Sequence, residues 1–196
     1  MKRLHLCLLI VTLTLTRVAA QAPIDISTKS DNPREAQARE QLLRIVKTHD
    51  LSKWIVTRSV VIEQGVRQHS HPVLTLNTRY LDKDDQQMSA FVHEQMHWHL
   101  AGRNDRTNKA IRELAKKYKD VPVGLPDGAD SVHSTYLHLL VNYLELTAMK
   151  EILGDAAGRA LIEAQAKDGY RWIYQTVLAD EAAIGMIAAK NKLLVP

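Results

Sequence analysis

Hydrophobic and polar positions divide the chain into an N-terminal address and a folded part. Lys2 and Arg3 precede an apolar run from Leu4 to Thr16, and Arg17 leads into Val18-Ala19-Ala20. A short basic start, an apolar stretch of about 13 residues and a small-residue ending form the pattern of a secretory signal peptide over 1–20, and the run is shorter than the roughly 20 residues of a spanning helix. Export to a periplasm or the extracellular space is the expectation. Residues 21–31 read as a polar linker.

From there the period of the pattern changes from element to element. Asn32-Pro33-Arg34-Glu35 offers an N-cap, a proline at the first helical position and a capping-box glutamate, which predicts a helix to about Lys47. Trp54 to Ile62 is rich in β-branched residues, Gln64-Gly65 punctuates it, and Val73 to Leu81 alternates Leu74, Leu76, Thr78 and Tyr80 against Val73, Thr75, Asn77 and Arg79. These are expected to be neighbouring strands of a small sheet. Asp82 is expected to cap a long helix through Leu100, ended by Gly102. A shorter helix spans about Asp105 to Tyr118, with Ala110, Ile111, Leu114 and Tyr118 on one stripe. Pro122, Gly124, Pro126 and Gly128 make Lys119 to Asp130 a loop. A helix from Ser131 to Leu153 closes at Gly154, and two or three more reach Leu194. The fold class is α+β and mainly helical, a single domain over 32–196 with a small sheet ahead of the long helix.

Composition narrows the function classes. With 196 residues, 45% apolar and 24% charged, the chain is neither a disordered tail nor a low-complexity fibre, and one cysteine excludes a disulfide scaffold. Removing Lys2, Arg3 and Arg17 with the signal lowers the charge from +4 to +1 and removes Cys7 as well. Nucleic acid and anionic membrane are therefore not expected partners. Lys116 and Lys117 with Arg103 and Arg106 are most simply a solvated helix face.

The chemistry lies in the nine histidines. Phe91-Val92-His93-Glu94-Gln95-Met96-His97 contains HExxH in the middle of a helix predicted on independent grounds. Spacing i, i+4 places the two imidazoles about 40° apart on one face, one turn above the other, where both can reach one tetrahedral Zn²⁺. Glu94 sits beside that face, suited to hydrogen-bond a zinc-bound water and act as general base. His99, a turn of about 200° beyond His97, cannot share that metal and is expected to be a core or interface histidine.

On these residues the chain resembles the zincin metallopeptidases, specifically the gluzincin-like group whose third ligand is a glutamate on a later helix. The resemblance covers the active-site helix and, more loosely, residues 131–153. The metzincin continuation is absent, because Leu100 stands where that family has glycine and Arg103 where it has its third histidine. Glu145 is then the expected third ligand, since its apolar neighbourhood would make an unpaired carboxylate costly. His138, two turns earlier and within about 20° of the same face, is either the ligand in its place or an outer-sphere group or oxyanion donor. The carboxylate that orients a zinc histidine in thermolysin-like enzymes has no counterpart at its usual spacing, where Met149 stands.

The resemblance implies an exported zinc-dependent hydrolase. His93, His97 and Glu145 hold the metal, Glu94 moves the proton, and His138 serves the oxyanion ahead of Tyr136, Tyr143 and Tyr80. A peptide or protein substrate would dock by adding a strand to the edge at Val73 to Leu81, unless that strand is simply paired inside the sheet. A non-catalytic zinc-binding or scaffold protein is the rival expectation, and a secreted helical module with an accidental HExxH is the second.

Overall fold

The structure, a computed structural model, describes residues 23–196. The signal peptide expected over 1–20 and Cys7 lie outside the described residues. Part of the expected linker is a strand: β1 (Asp25–Thr28) carries one inward side chain, Ile26, and its polar neighbours Asp25, Ser27 and Thr28 hide it from any apolar pattern. Helix α1 (Pro33–Thr48) starts as expected, with the Asn32 side chain accepting from the Arg34 amide. Glu35 does not close a capping box. Its carboxylate accepts instead from Ser30 N, Ser30 Oγ and Gln64 N, which ties the β1–α1 turn to the end of β2 (Ser59–Ile62).

Strand β3 (Leu74–Leu76) completes a parallel sheet in the order β1-β2-β3, with Ile26 beside Val60 and Val60 beside Leu74. Both expected strands are shorter than their sequence patterns, and Trp54 belongs to a separate 3-10 turn, Ser52–Trp54. The outer edge of β3 is not free for a guest strand. Thr75 exchanges both backbone hydrogen bonds with His69, so residues 67–70 fold along it.

The helical part forms around two helices that lack a clean polar face. Helix α2 (Asp84–Ala101) begins one residue later than expected, with Lys83 rather than Asp82 at the N-cap, because Asp82 adopts a left-handed φ of 63°. Helix α4 (Val132–Leu153), capped by Ser131, buries Leu139, Leu140, Val141, Leu144, Leu146, Ala148 and Met149 around its circumference. A helix apolar all round must sit inside the protein. It is surrounded by α2, α3 (Asn104–Lys117), α5 (Asp155–Gln165), α6 (Arg171–Ala179) and α7 (Glu181–Lys190). His99 is a core histidine, its Nε2 hydrogen-bonded to Leu193 O at 2.8 Å. Among the described residues no helix is long and apolar enough to cross a membrane.

Helices α4 and α5 meet so closely that a Cβ added to Gly158 would fall on the backbone of Met149 and Lys150. Helix propensity alone makes Gly→Ala inside a helix stabilising by about 1 kcal/mol. Here the close approach should reverse the sign. Gly158→Ala is expected to lose roughly 1–3 kcal/mol in urea unfolding through overpacking, whereas Gly169→Ala, which meets nothing within 4 Å, should stay within about 0.5 kcal/mol of wild type. A more stable Gly158→Ala protein would contradict this packing.

Candidate metal centre

Buried polar side chains on α2 face buried polar side chains on α4, and Ser89 and His93 of the first helix pair with Glu145 of the second. His93 and His97 stand one turn apart on α2, as the i, i+4 spacing requires. His138 of α4 faces them, with ring centroids 5.6 Å from His93 and 4.9 Å from His97. One ligand nitrogen from each of the three lies within 4.8 Å of the others, so these imidazoles are close enough to bind one metal ion.

Glu145 is not part of that grouping, contrary to the sequence expectation. Its side chain is 1% exposed and fully engaged. Oε2 lies 2.9 Å from His93 Nδ1 and accepts from the Tyr174 hydroxyl at 3.0 Å, while Oε1 accepts from Ser89 Oγ at 2.6 Å. The carboxylate whose burial called for a partner has an imidazole N–H and two hydroxyls around it. It stands behind the His93 ring, on the Nδ1 side. Ser89, one turn before His93, could have been found from helical periodicity; Tyr174 of α6 carried no comparable signal.

These contacts decide which ring nitrogen faces the cluster. A carboxylate can only accept, so His93 carries a proton on Nδ1 and turns Nε2 to the cluster, where a metal ion would compete with a second proton. His138 is set in the same way, with Nδ1 donating to the Ser134 carbonyl at 2.7 Å. Burial, and then the positive charge of His93, pull the His138 imidazole down to about 3. Burial followed by His93 and His138 likewise holds His97 well below its usual range. Both rings are therefore neutral near pH 7, the form that ligates. Burial opposes a charge on His93 too, yet the adjacent Glu145 outweighs it and raises that imidazole above its ordinary value.

The cluster opens into a cleft of about 470 Å³. Glu94 is on its wall, and burial raises its carboxyl above the usual range, with His93 opposing and Glu145 adding to the rise. Arg67 and Arg79 approach from the sheet side; Asp130, Asp168 and Tyr170 approach from the helix side. The ion pairs Arg67–Asp130 and Arg79–Asp168 join the two walls.

Of the tyrosines expected near an oxyanion, Tyr80 lines the cleft. Tyr136 instead donates to the Tyr118 carbonyl, and Tyr143 packs against Gly185 of α7. His69 also lines the cleft, whereas His71 stacks on Trp98 and His133 is exposed. Asp127 binds Arg171 in the loop, as a simple loop residue. No protein-family model, curated protein or solved structure matches the chain.

The arrangement sets the three imidazoles apart from the carboxylate behind them. His138→Ala should abolish stoichiometric zinc binding, while Glu145→Gln should weaken it about 10–100-fold with one ion still bound at saturation. Competition against a chromogenic chelator measures both. Equal, complete loss in the two variants would make Glu145 a ligand.

Proposed function

We propose that this chain is an exported zinc-dependent hydrolase with a zincin-like arrangement, acting on peptide bonds. The observation that carries the reading is a three-imidazole group beside a buried glutamate that does not belong to it, both on the wall of an open cleft. Three imidazole nitrogens suit zinc, copper, iron or nickel. Zinc is the choice because a candidate general base, Glu94, follows His93 on the same cleft wall, and activating water beside such a base is zinc chemistry. The donor set fits the ion: His93 and His138 both have Nδ1 engaged, leaving Nε2 free.

Zinc bound there would polarise a carbonyl and lower the pKa of water. The remaining work belongs to the chain. Glu94 takes a proton from water as it adds to the scissile carbonyl, then delivers that proton to the departing amine; its raised carboxyl stands nearer the pH at which it must do both. Glu145 fixes the tautomer and the ring plane of His93, and Ser134 does the same for His138 through its carbonyl. A non-catalytic zinc-binding scaffold is the competing reading. Against it, the ligand group among the described residues holds three side chains rather than the four of a closed structural site.

Glu94→Gln keeps the shape and removes the base. It should bind zinc as wild type does, by elemental analysis, and lose at least about a hundredfold in peptide hydrolysis. Undiminished turnover with zinc bound would remove the mechanism.

A further inference from the structure

The helix-side wall ends in a residue that neither the motif nor the ligand geometry explains. Tyr170 precedes α6 in a left-handed conformation, φ 51° and ψ 36°, a region that bulky side chains rarely occupy. That conformation places its ring on the metal-binding group, 4.5 Å from His138 between centroids and parallel to His93 within 10° at 6.4 Å. Its backbone is held from both sides. The next residue, Arg171, donates its amide to Pro126 O and pairs with Asp127, and Asp168 binds Arg79 across the cleft. Strain kept in place by contacts on two sides is a mark of functional sites.

The hydroxyl is also held. Arg67 Nη2 donates to Tyr170 Oη at 3.1 Å, and the guanidinium lies 5.9 Å from the ring centroid. Guanidinium has no acceptor atom, so the phenol oxygen is the acceptor and its own proton points elsewhere. No acceptor among the described residues takes that proton. A donor hydrogen-bonded to a cation is itself a stronger donor. Tyr170 therefore presents an unclaimed, polarised O–H on the cleft wall beside the three imidazoles, while His138, the first candidate for an oxyanion donor from sequence, is occupied as one of the three.

We infer that Tyr170 is the catalytic hydrogen-bond donor to the carbonyl oxygen as it gains negative charge, and that Arg67 is the positioning residue that turns the Tyr170 proton toward it. This assignment rests on the hydrolase reading above. Water adds to the carbonyl carbon, the C=O π pair moves onto oxygen, and Tyr170 stabilises that oxygen by a hydrogen bond without giving up its proton. On collapse the pair returns, the C–N bond breaks, and the amine leaves with the proton carried by Glu94.

Tyr170→Phe retains the ring that packs on His138 and deletes only the donor. On zinc-loaded protein it should leave zinc affinity and melting temperature unchanged and lower kcat by about 10²–10³-fold with KM little altered. Binding of a phosphinic tripeptide, whose tetrahedral P–O⁻ imitates the developing oxyanion, should weaken at least tenfold by calorimetry. Arg67→Met should lower kcat in the same direction but less, and Arg67→Lys should recover part of the loss. A Tyr170→Phe protein that binds the phosphinate as tightly as wild type overturns the assignment and leaves the hydrolase reading intact. A wild-type protein that loads zinc yet does not bind the phosphinate removes both.

Discussion

The hydrogen bond between Glu145 and His93 is the interaction on which the centre depends. It joins the two most buried helices, and it is made between groups that could not be buried separately. Removing one partner of a buried charged pair costs on the order of 3–5 kcal/mol because the other is left uncompensated. Ser89 and Tyr174 complete the coordination of that carboxylate. With its oxygens occupied by three partners, Glu145 stands outside the imidazole group, whose third member also comes from α4. That member is His138, two turns away on a neighbouring line of the same helix.

The rest of the fold serves this pair. Helix α4 is apolar around its circumference because five other helices enclose it, and that enclosure keeps His97 and His138 neutral. The parallel sheet lies on the other side of α2. Its contribution to the cleft is less β3 than the segment 67–70 folded along the β3 edge, which closes the docking edge expected from alternation and brings Arg67 to the mouth. Two ion pairs then cross the opening, between the sheet-side arginines and the helix-side aspartates. Both are exposed and weak on an individual basis, so they hold the two walls together only lightly.

Helices are legible in the sequence wherever local chemistry terminates them: Asn32-Pro33, Gly102, Ser131 and Gly154 each mark a boundary within a residue or two. The HExxH face is legible for the same reason, since both imidazoles belong to one helix and their relation is fixed by 3.6 residues per turn. Strand β1 is not legible, because a four-residue strand with a single inward side chain leaves no alternation to detect. The roles of His138 and Glu145 are not legible either. Both fall on one face of α4, and only the rotation of α4 against α2 decides which of them meets the ligand nitrogens and which meets the back of a ring. Tyr170 is the extreme case, since its place depends on a left-handed backbone, on Pro126 and Asp127 some forty residues away, and on an arginine from the sheet side.

The most direct measurement is a crystal structure of the zinc-loaded protein with anomalous data collected on either side of the zinc edge. The arrangement described here requires one anomalous peak bonded to nitrogens of His93, His97 and His138, with the Glu145 carboxylate still hydrogen-bonded to His93 Nδ1. A peak bonded to Glu145, or no peak in protein equilibrated with excess zinc, would contradict it.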